Sequence, residues 1–240
     1  MRNWIIGAAA VIALAVPGVA AAQTGYVGAV YSNAEVEGAD EADAWGLEGA
    51  VAFAGSGSIV FEVDAGYTSG DDVDSTGLTG HVYTRNDSHL FGAFVGLSDS
   101  DATDTTWTVG LEASKFYTDW TLAGAVFYAN NDDNDVDGYG INTQARYFVN
   151  DNFRLQGSLG WATVDSGADD DDVFAYGVGG EYQFAAAPIS IAAGYNRVDS
   201  DAAEADVLSL AVRYNWGGTL RDRDRSGASQ ADITGLGGLL

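Results

Sequence analysis

The sequence predicts an all-β fold: an antiparallel transmembrane β-barrel of twelve strands, with short turns at one end and acidic loops at the other. Three observations carry that expectation. From Thr24 to Trp216 the chain repeats segments that alternate apolar with small or polar residues. The connections between them fall into two classes that strictly take turns. The tryptophans of this region sit at segment ends and never in the middle.

The first element precedes the repeat. Arg2 gives a basic start, Trp4 to Val16 form an apolar core broken by Pro17-Gly18, and Ala20-Ala21-Ala22 has the small residues of a cleavage site. Residues 1–22 are therefore expected to be a secretory signal, leaving a mature chain from Gln23. The apolar stretch is short for a spanning helix, and no later stretch approaches the ~18 apolar residues that a spanning helix needs. With no cysteine, the exported chain has neither disulfides nor thiolate metal sites.

The strands follow. In strand 2, Trp45, Leu47, Gly49, Val51 and Phe53 oppose Ala44, Gly46, Glu48, Ala50 and Ala52. In strand 3, Ile59, Phe61, Val63, Ala65 and Tyr67 oppose Val60, Glu62, Asp64, Gly66 and Thr68. Strands 8, 9, 10 and 12 repeat the pattern; in the last, Leu208, Leu210, Val212, Tyr214 and Trp216 oppose Ser209, Arg213 and Asn215. Side chains alternate across a strand, so each strand has one apolar and one small or polar face. Strands 1, 5 and 11 alternate more weakly, and in strand 1 the two faces cannot be told apart.

The connections decide the architecture. Ala54 to Ser58, Arg85 to Ser88, Tyr117 to Asp119, Val149 to Asn152 and Phe184 to Pro188 are short. Between them come Asn33 to Asp43, Ser69 to Thr76, Ser98 to Thr105, Ala129 to Asp137, Val164 to Asp172 and Val198 to Asp206. These six hold 24 of the 35 acidic residues and no Lys or Arg. A soluble β-sandwich has no reason to put acid at every second connection. In a membrane barrel every second connection emerges on the same side, with short turns in the periplasm and longer loops outside. Hydrocarbon offers backbone groups no water, so the sheet must close, and twelve strands close evenly. Trp45, Trp107 and Trp161 fall at the outer strand ends, and Trp120 and Trp216 at the inner ones. All five lie on the apolar face, as an interfacial aromatic girdle does.

Signal, alternating strands, girdle and loop rhythm together resemble the porin-type outer-membrane barrels of Gram-negative bacteria, as a pattern over residues 23–216. Trp216 is similar to the aromatic that ends the last strand of such barrels and that they present to their assembly machinery. The resemblance implies an outer-membrane location, contact with lipid and lipopolysaccharide, and small solutes or ions as the transported species. A homo-oligomer is compatible with it. The chain departs from the pattern by continuing to Leu240.

With apolar faces on lipid, the opposite faces line a lumen. Glu48, Glu62, Asp64, Glu112 and Glu181 are assigned there, with His81, Arg85, Arg146, Arg154 and Arg213. Strand spacing and tilt give twelve strands a backbone diameter of roughly 24 Å, and a free width on the order of 10 Å. Many lumen positions are Gly, Ala or Ser, which favours an opening over a plug. Neighbouring strands also allow Glu62 to pair with Arg85, and Arg154 with Glu181. No loop is long enough to fold in as a constriction. The glycine-rich tail, residues 217–240, is expected to be a disordered periplasmic end, with entry into the periplasmic mouth as the alternative.

The outside charge pattern predicts a modest cation preference. Asp132, Asp133, Asp135 and Asp137 crowd carboxylates as a calcium loop does, but the run is shorter than an EF-hand and lacks its terminal Glu. The competing function is a structural or adhesive surface barrel whose acidic loops bind divalent cations. Nucleic acid is excluded as a partner by a formal net charge of -25. No cofactor and no enzymatic activity are expected: there is no GxSxG, zinc spacing or phosphate loop, and neither His81 nor His89 is placed at the outer rim.

Overall fold

A computed structural model describes residues 24–234, apart from 56, 71–72, 102–104, 132–134, 168–169 and 202. The segment expected to be a secretory signal lies outside the described residues. The twelve strands are β1 (Thr24–Val36), β2 (Ala42–Ala54), β3 (Ile59–Gly70), β4 (Asp74–Arg85), β5 (His89–Ser100), β6 (Thr106–Phe116), β7 (Trp120–Asn131), β8 (Val136–Asn150), β9 (Phe153–Asp165), β10 (Asp170–Gln183), β11 (Ile189–Ser200) and β12 (Glu204–Trp216). Each pairs antiparallel with its sequence neighbours, and β1 pairs with β12 from Gly25↔Trp216 to Val36↔Ala205. The sheet is a closed barrel.

The alternation sorts side chains as the sequence implies. Leu47, Phe61, Val95, Leu111, Leu159, Val178 and Leu210 are exposed on the outside, Leu111 to 63%. Apolar exposure on this scale marks a surface that meets lipid. Glu62, His81, Glu112, Arg146, Arg154 and Glu181 are buried on the inside. The structure also sorts β1: Val27 and Tyr31 face out, while Tyr26 is buried inside.

Two expectations are corrected. The acidic segments are mostly strand, not loop. Pairing runs to Val36 and resumes at Ala42, runs to Asn131 and resumes at Val136, and runs to Asp165 and resumes at Asp170. Beyond the hydrocarbon the ladder can go on exchanging backbone hydrogen bonds, and side chains across each hairpin hold it together, as described below.

The tail is the second correction. After Trp216 the chain leaves the wall through Gly217 (φ +95°) and Gly218 (φ +130°), conformations that residues with a Cβ rarely adopt. It then forms α1 (Leu220–Ser226) and α2 (Ala231–Thr234) within the barrel. A reciprocal capping box starts α1: Thr219 Oγ1 accepts from the Asp222 N–H, and the Asp222 carboxylate accepts from the Thr219 N–H. The small wall residues read as an opening instead make room for this segment. Ala228 packs with Tyr26, Ala50 and Ala52, and Ile233 with Phe94, Ala123 and Ala125.

Candidate functional site

The interior carries two layers of charge contacts. The first joins wall to wall. His81, on β4, lies between Asp64 on β3 (Nε2 to Oδ2, 2.7 Å) and Glu112 on β6 (Nδ1 to Oε2, 3.0 Å). Phe94 on β5 lies beside the imidazole, with ring centroids 5.8 Å apart. Across the barrel, Glu181 on β10 meets Arg154 on β9 and Arg213 on β12, each at 3.0 Å. Arg213 also reaches Glu48 on β2 at 2.6 Å. The Arg154–Glu181 pairing allowed by the sequence is thus present.

The second layer joins wall to tail. Asp224 of α1 accepts from Arg146 Nη1 on β8 at 2.7 Å and from the Thr121 hydroxyl on β7 at 2.6 Å. Both side chains of the Arg146–Asp224 pair have no solvent exposure. Arg146 also donates to the Ser229 carbonyl at 2.9 Å and to Gln144. Arg223 donates to Glu181 at 2.8 Å and to Asn215. The Glu62 carboxylate does not go to Arg85. It accepts from the backbone N–H groups of Ser229, Gln230 and Ala231 at 3.2, 2.9 and 3.2 Å, and from the Tyr83 hydroxyl at 2.9 Å. Arg85 instead donates twice to the Gly227 carbonyl, both at 3.0 Å, and to the Ser229 hydroxyl. Sequence reasoning paired wall charges only with wall neighbours because the tail was placed outside.

At the short-turn mouth α1 is tied to the rim. Arg221 pairs with Asp119 at 3.0 Å and Asp151 at 2.8 Å, and Arg225 donates to the carbonyls of Tyr117 and Trp120. Deeper in, Asn142 on β8 donates to the Ile233 carbonyl at 3.2 Å. The tail therefore runs from the short-turn mouth into the barrel and touches walls on several sides.

A Gram-negative porin family profile matches residues 61–221. The chain belongs to the Gram-negative porin family. No curated protein matches it at a significant level. Among solved structures, it is similar to the KdgM porin (10% identity, 79% of this chain and 99% of that one, TM-score 0.58). It is also similar to an outer-membrane channel from Pseudomonas putida F1 (15% identity, 82% and 96%, TM-score 0.57). The translocator domain of the autotransporter NalP from Neisseria meningitidis is a third (11% identity, 87% and 93%, TM-score 0.56). Identities this low show a shared barrel fold, and the family places this porin in the outer membrane.

On the outside of this porin, each of the five tryptophans lies against a tyrosine. The pairs are Trp45–Tyr67, Trp107–Tyr128, Trp120–Tyr147, Trp161–Tyr139 and Trp216–Tyr214, with ring centroids 4.7 to 6.4 Å apart. The acidic hairpin ends share a contact that sequence reading missed. Asp43 accepts from Tyr31 and Asn33, Asp137 from Tyr128 and Asn130, and Asp206 from Tyr195 and Arg197. In each case a tyrosine and the polar residue two positions later, on one strand, hold a carboxylate on the next. That spacing is the signal that could have revealed it. Asp74, Asp99 and Asp172 accept from Ser69, Thr105 and Thr163 in the other three hairpins. Of the calcium-loop residues, Asp132 and Asp133 lie outside the described residues. Asp135 sits at a turn with φ 54°, and Asp137 is engaged as above. Among the described residues no His, Cys, Asp and Glu group has metal-binding geometry.

Proposed function

We propose that this porin is an outer-membrane channel for passive diffusion of ions and small hydrophilic solutes, with a modest cation preference. The observation that carries the reading is a closed barrel, apolar outside, whose inner wall bears five carboxylates, four guanidiniums and a histidine. Glu48, Glu62, Asp64, Glu112 and Glu181, with His81, Arg85, Arg146, Arg154 and Arg213, are assigned to the lumen face of the wall, where most are buried against one another or against the tail. Charges on a lumen wall tune selectivity wherever water passes them. The inner wall is nearly balanced, so the preference comes from the acidic hairpin ends, which concentrate cations at one mouth in a salt-dependent way. The same ends are suited to divalent cations shared with lipopolysaccharide phosphates. The Trp–Tyr pairs form the interfacial girdle, and Trp216 closes the strand presented for assembly. Porin-family membership favours transport over hydrolysis.

The test is a planar bilayer containing the refolded mature chain under a salt gradient. Ohmic steps with a reversal potential on the cation side are expected, moving toward zero when Asp165, Asp170 and Asp171 are changed to Asn. Anion preference would contradict the reading. The tail inside the barrel favours a second reading, a non-conducting surface barrel braced by its own C-terminal segment. A folded barrel that stays electrically silent, with or without the tail, is its expected signature.

A further inference from the structure

We propose that residues 219–234 are a releasable plug that closes the short-turn half of the channel at rest, swinging on Gly217-Gly218. The proposal rests on the channel reading above. Four observations support it.

The wall is complete without the segment. The β1–β12 ladder closes the sheet up to Gly25↔Trp216, before the tail begins, so no backbone pairing of the barrel depends on it. The connection is hinge-like: two consecutive glycines, both at positive φ, turn the chain from wall to lumen. The docking surface is largely polar. Arg146–Asp224, Arg223–Glu181, the Glu62 carboxylate on three backbone N–H groups and Arg85 on the Gly227 carbonyl make up most of it. Each of these groups can exchange its partner for water once the segment leaves, whereas a wholly apolar interface could not. The apolar contacts are fewer: Leu220 is buried, Ala228 packs with Tyr26, and Ile233 packs with Phe94.

The fourth observation is position. The segment is held by β3 and β4 on one side (Glu62, Tyr83, Arg85) and by β7 and β8 on the other (Thr121, Asn142, Arg146). In a twelve-strand barrel β3 and β8 stand nearly opposite. A chain crossing from one to the other obstructs the lumen instead of lining it.

Because the chain has no cysteine, one engineered disulfide can test this. Ala50 on β2 and Ala228 in the tail are both buried in one cluster. Ala50→Cys with Ala228→Cys should give, when oxidised, a barrel whose conductance is at least severalfold below the wild type. Reductant should restore wild-type openings in the same membrane. Conductance unchanged by oxidation, with the bond verified by thiol titration, would overturn the proposal.

A chain lacking residues 219–240 is the complementary variant, with folding checked by heat-modifiable gel mobility. It should stay open in steady steps where the full chain opens and closes. Equal conductance of the two overturns the plug and leaves the channel reading intact. Silence of both folded chains overturns the channel reading itself, and the plug with it.

Discussion

Asp224→Asn is the sharpest probe of how the tail is held. The substitution keeps the size and the Thr121 contact of residue 224 but removes its charge from the Arg146 guanidinium, 2.7 Å away. Both partners are fully buried, so the pair is not weakened by solvent screening as a surface pair would be. Removing one member of a buried pair costs about 3–5 kcal/mol, because the remaining charge is left uncompensated. Here the lower end applies, since Arg146 keeps the Ser229 carbonyl and Gln144. About 3 kcal/mol corresponds to roughly a hundredfold change in the docking equilibrium. The cost falls on docking and spares the barrel, whose ladders do not include Asp224. Amide hydrogen exchange reads it directly, because exchange of a docked segment follows its opening equilibrium. Exchange at Gly227 and Ser229 to Ala231 should accelerate by about two orders of magnitude, with strand amides unchanged. Tail protection equal to wild type would refute the reasoning, and uniform loss of protection across strands would show that tail and barrel unfold as one unit.

Other expectations follow from the same contacts. Glu62→Gln replaces charge-assisted acceptance from three N–H groups by a weaker neutral one, and should speed exchange at residues 229–231 by about tenfold. Gly218→Ala puts a Cβ 2.6 Å from the Asp222 carboxylate at φ +130°. Backbone strain of this kind costs about 1–3 kcal/mol; limited proteolysis should cut the tail faster while the barrel core survives. Leu111→Arg places a charge on the lipid face of mid-β6, opposite Ala93 and Val126. It should destabilise the barrel in vesicles by about 2–4 kcal/mol in a denaturant titration, and an unchanged midpoint would argue against lipid contact at that position.

The barrel was legible because its signal is periodic and long. Residues such as Leu208, Leu210, Val212, Tyr214 and Trp216 leave little choice of face, and the alternate acidic hairpins fix which ends lie together. The tail was not legible, since α1 and α2 are too short to show a periodic stripe and their partners are far away in sequence. Its trace was present in the weak strands. β1 and β5 alternate poorly because Tyr26 and Phe94, apolar residues on inward positions, pack against Ala228 and Ile233. An apolar residue on a wet wall is out of place unless something covers it. The rim contacts escaped for another reason: they depend on the cross-strand register, which puts Asp43, Asp137 and Asp206 beside Tyr31, Tyr128 and Tyr195 and which the alternation alone does not fix.

The interior charges divide by what satisfies them. Asp64, His81 and Glu112 are bound to one another, as are Glu48, Arg213, Glu181 and Arg154, so these wall contacts persist whether or not the tail is docked. Glu62, Arg85 and Arg146 differ, because the tail supplies most of their partners. If the tail leaves, the framework keeps its shape while Glu62 and Arg85 on one wall and Arg146 nearly opposite become hydrated. Selectivity should then depend on these three residues only when the tail is gone. In the chain lacking residues 219–240, Glu62→Gln should move the reversal potential toward anions and Arg146→Gln toward cations. With the tail held by the engineered disulfide between positions 50 and 228, any residual current should keep the selectivity set by the acidic mouth, whichever residue stands at 62. A shift of equal size in the bridged chain would mean that Glu62 already faces the conducting path while docked, and that the tail leaves that wall open to water.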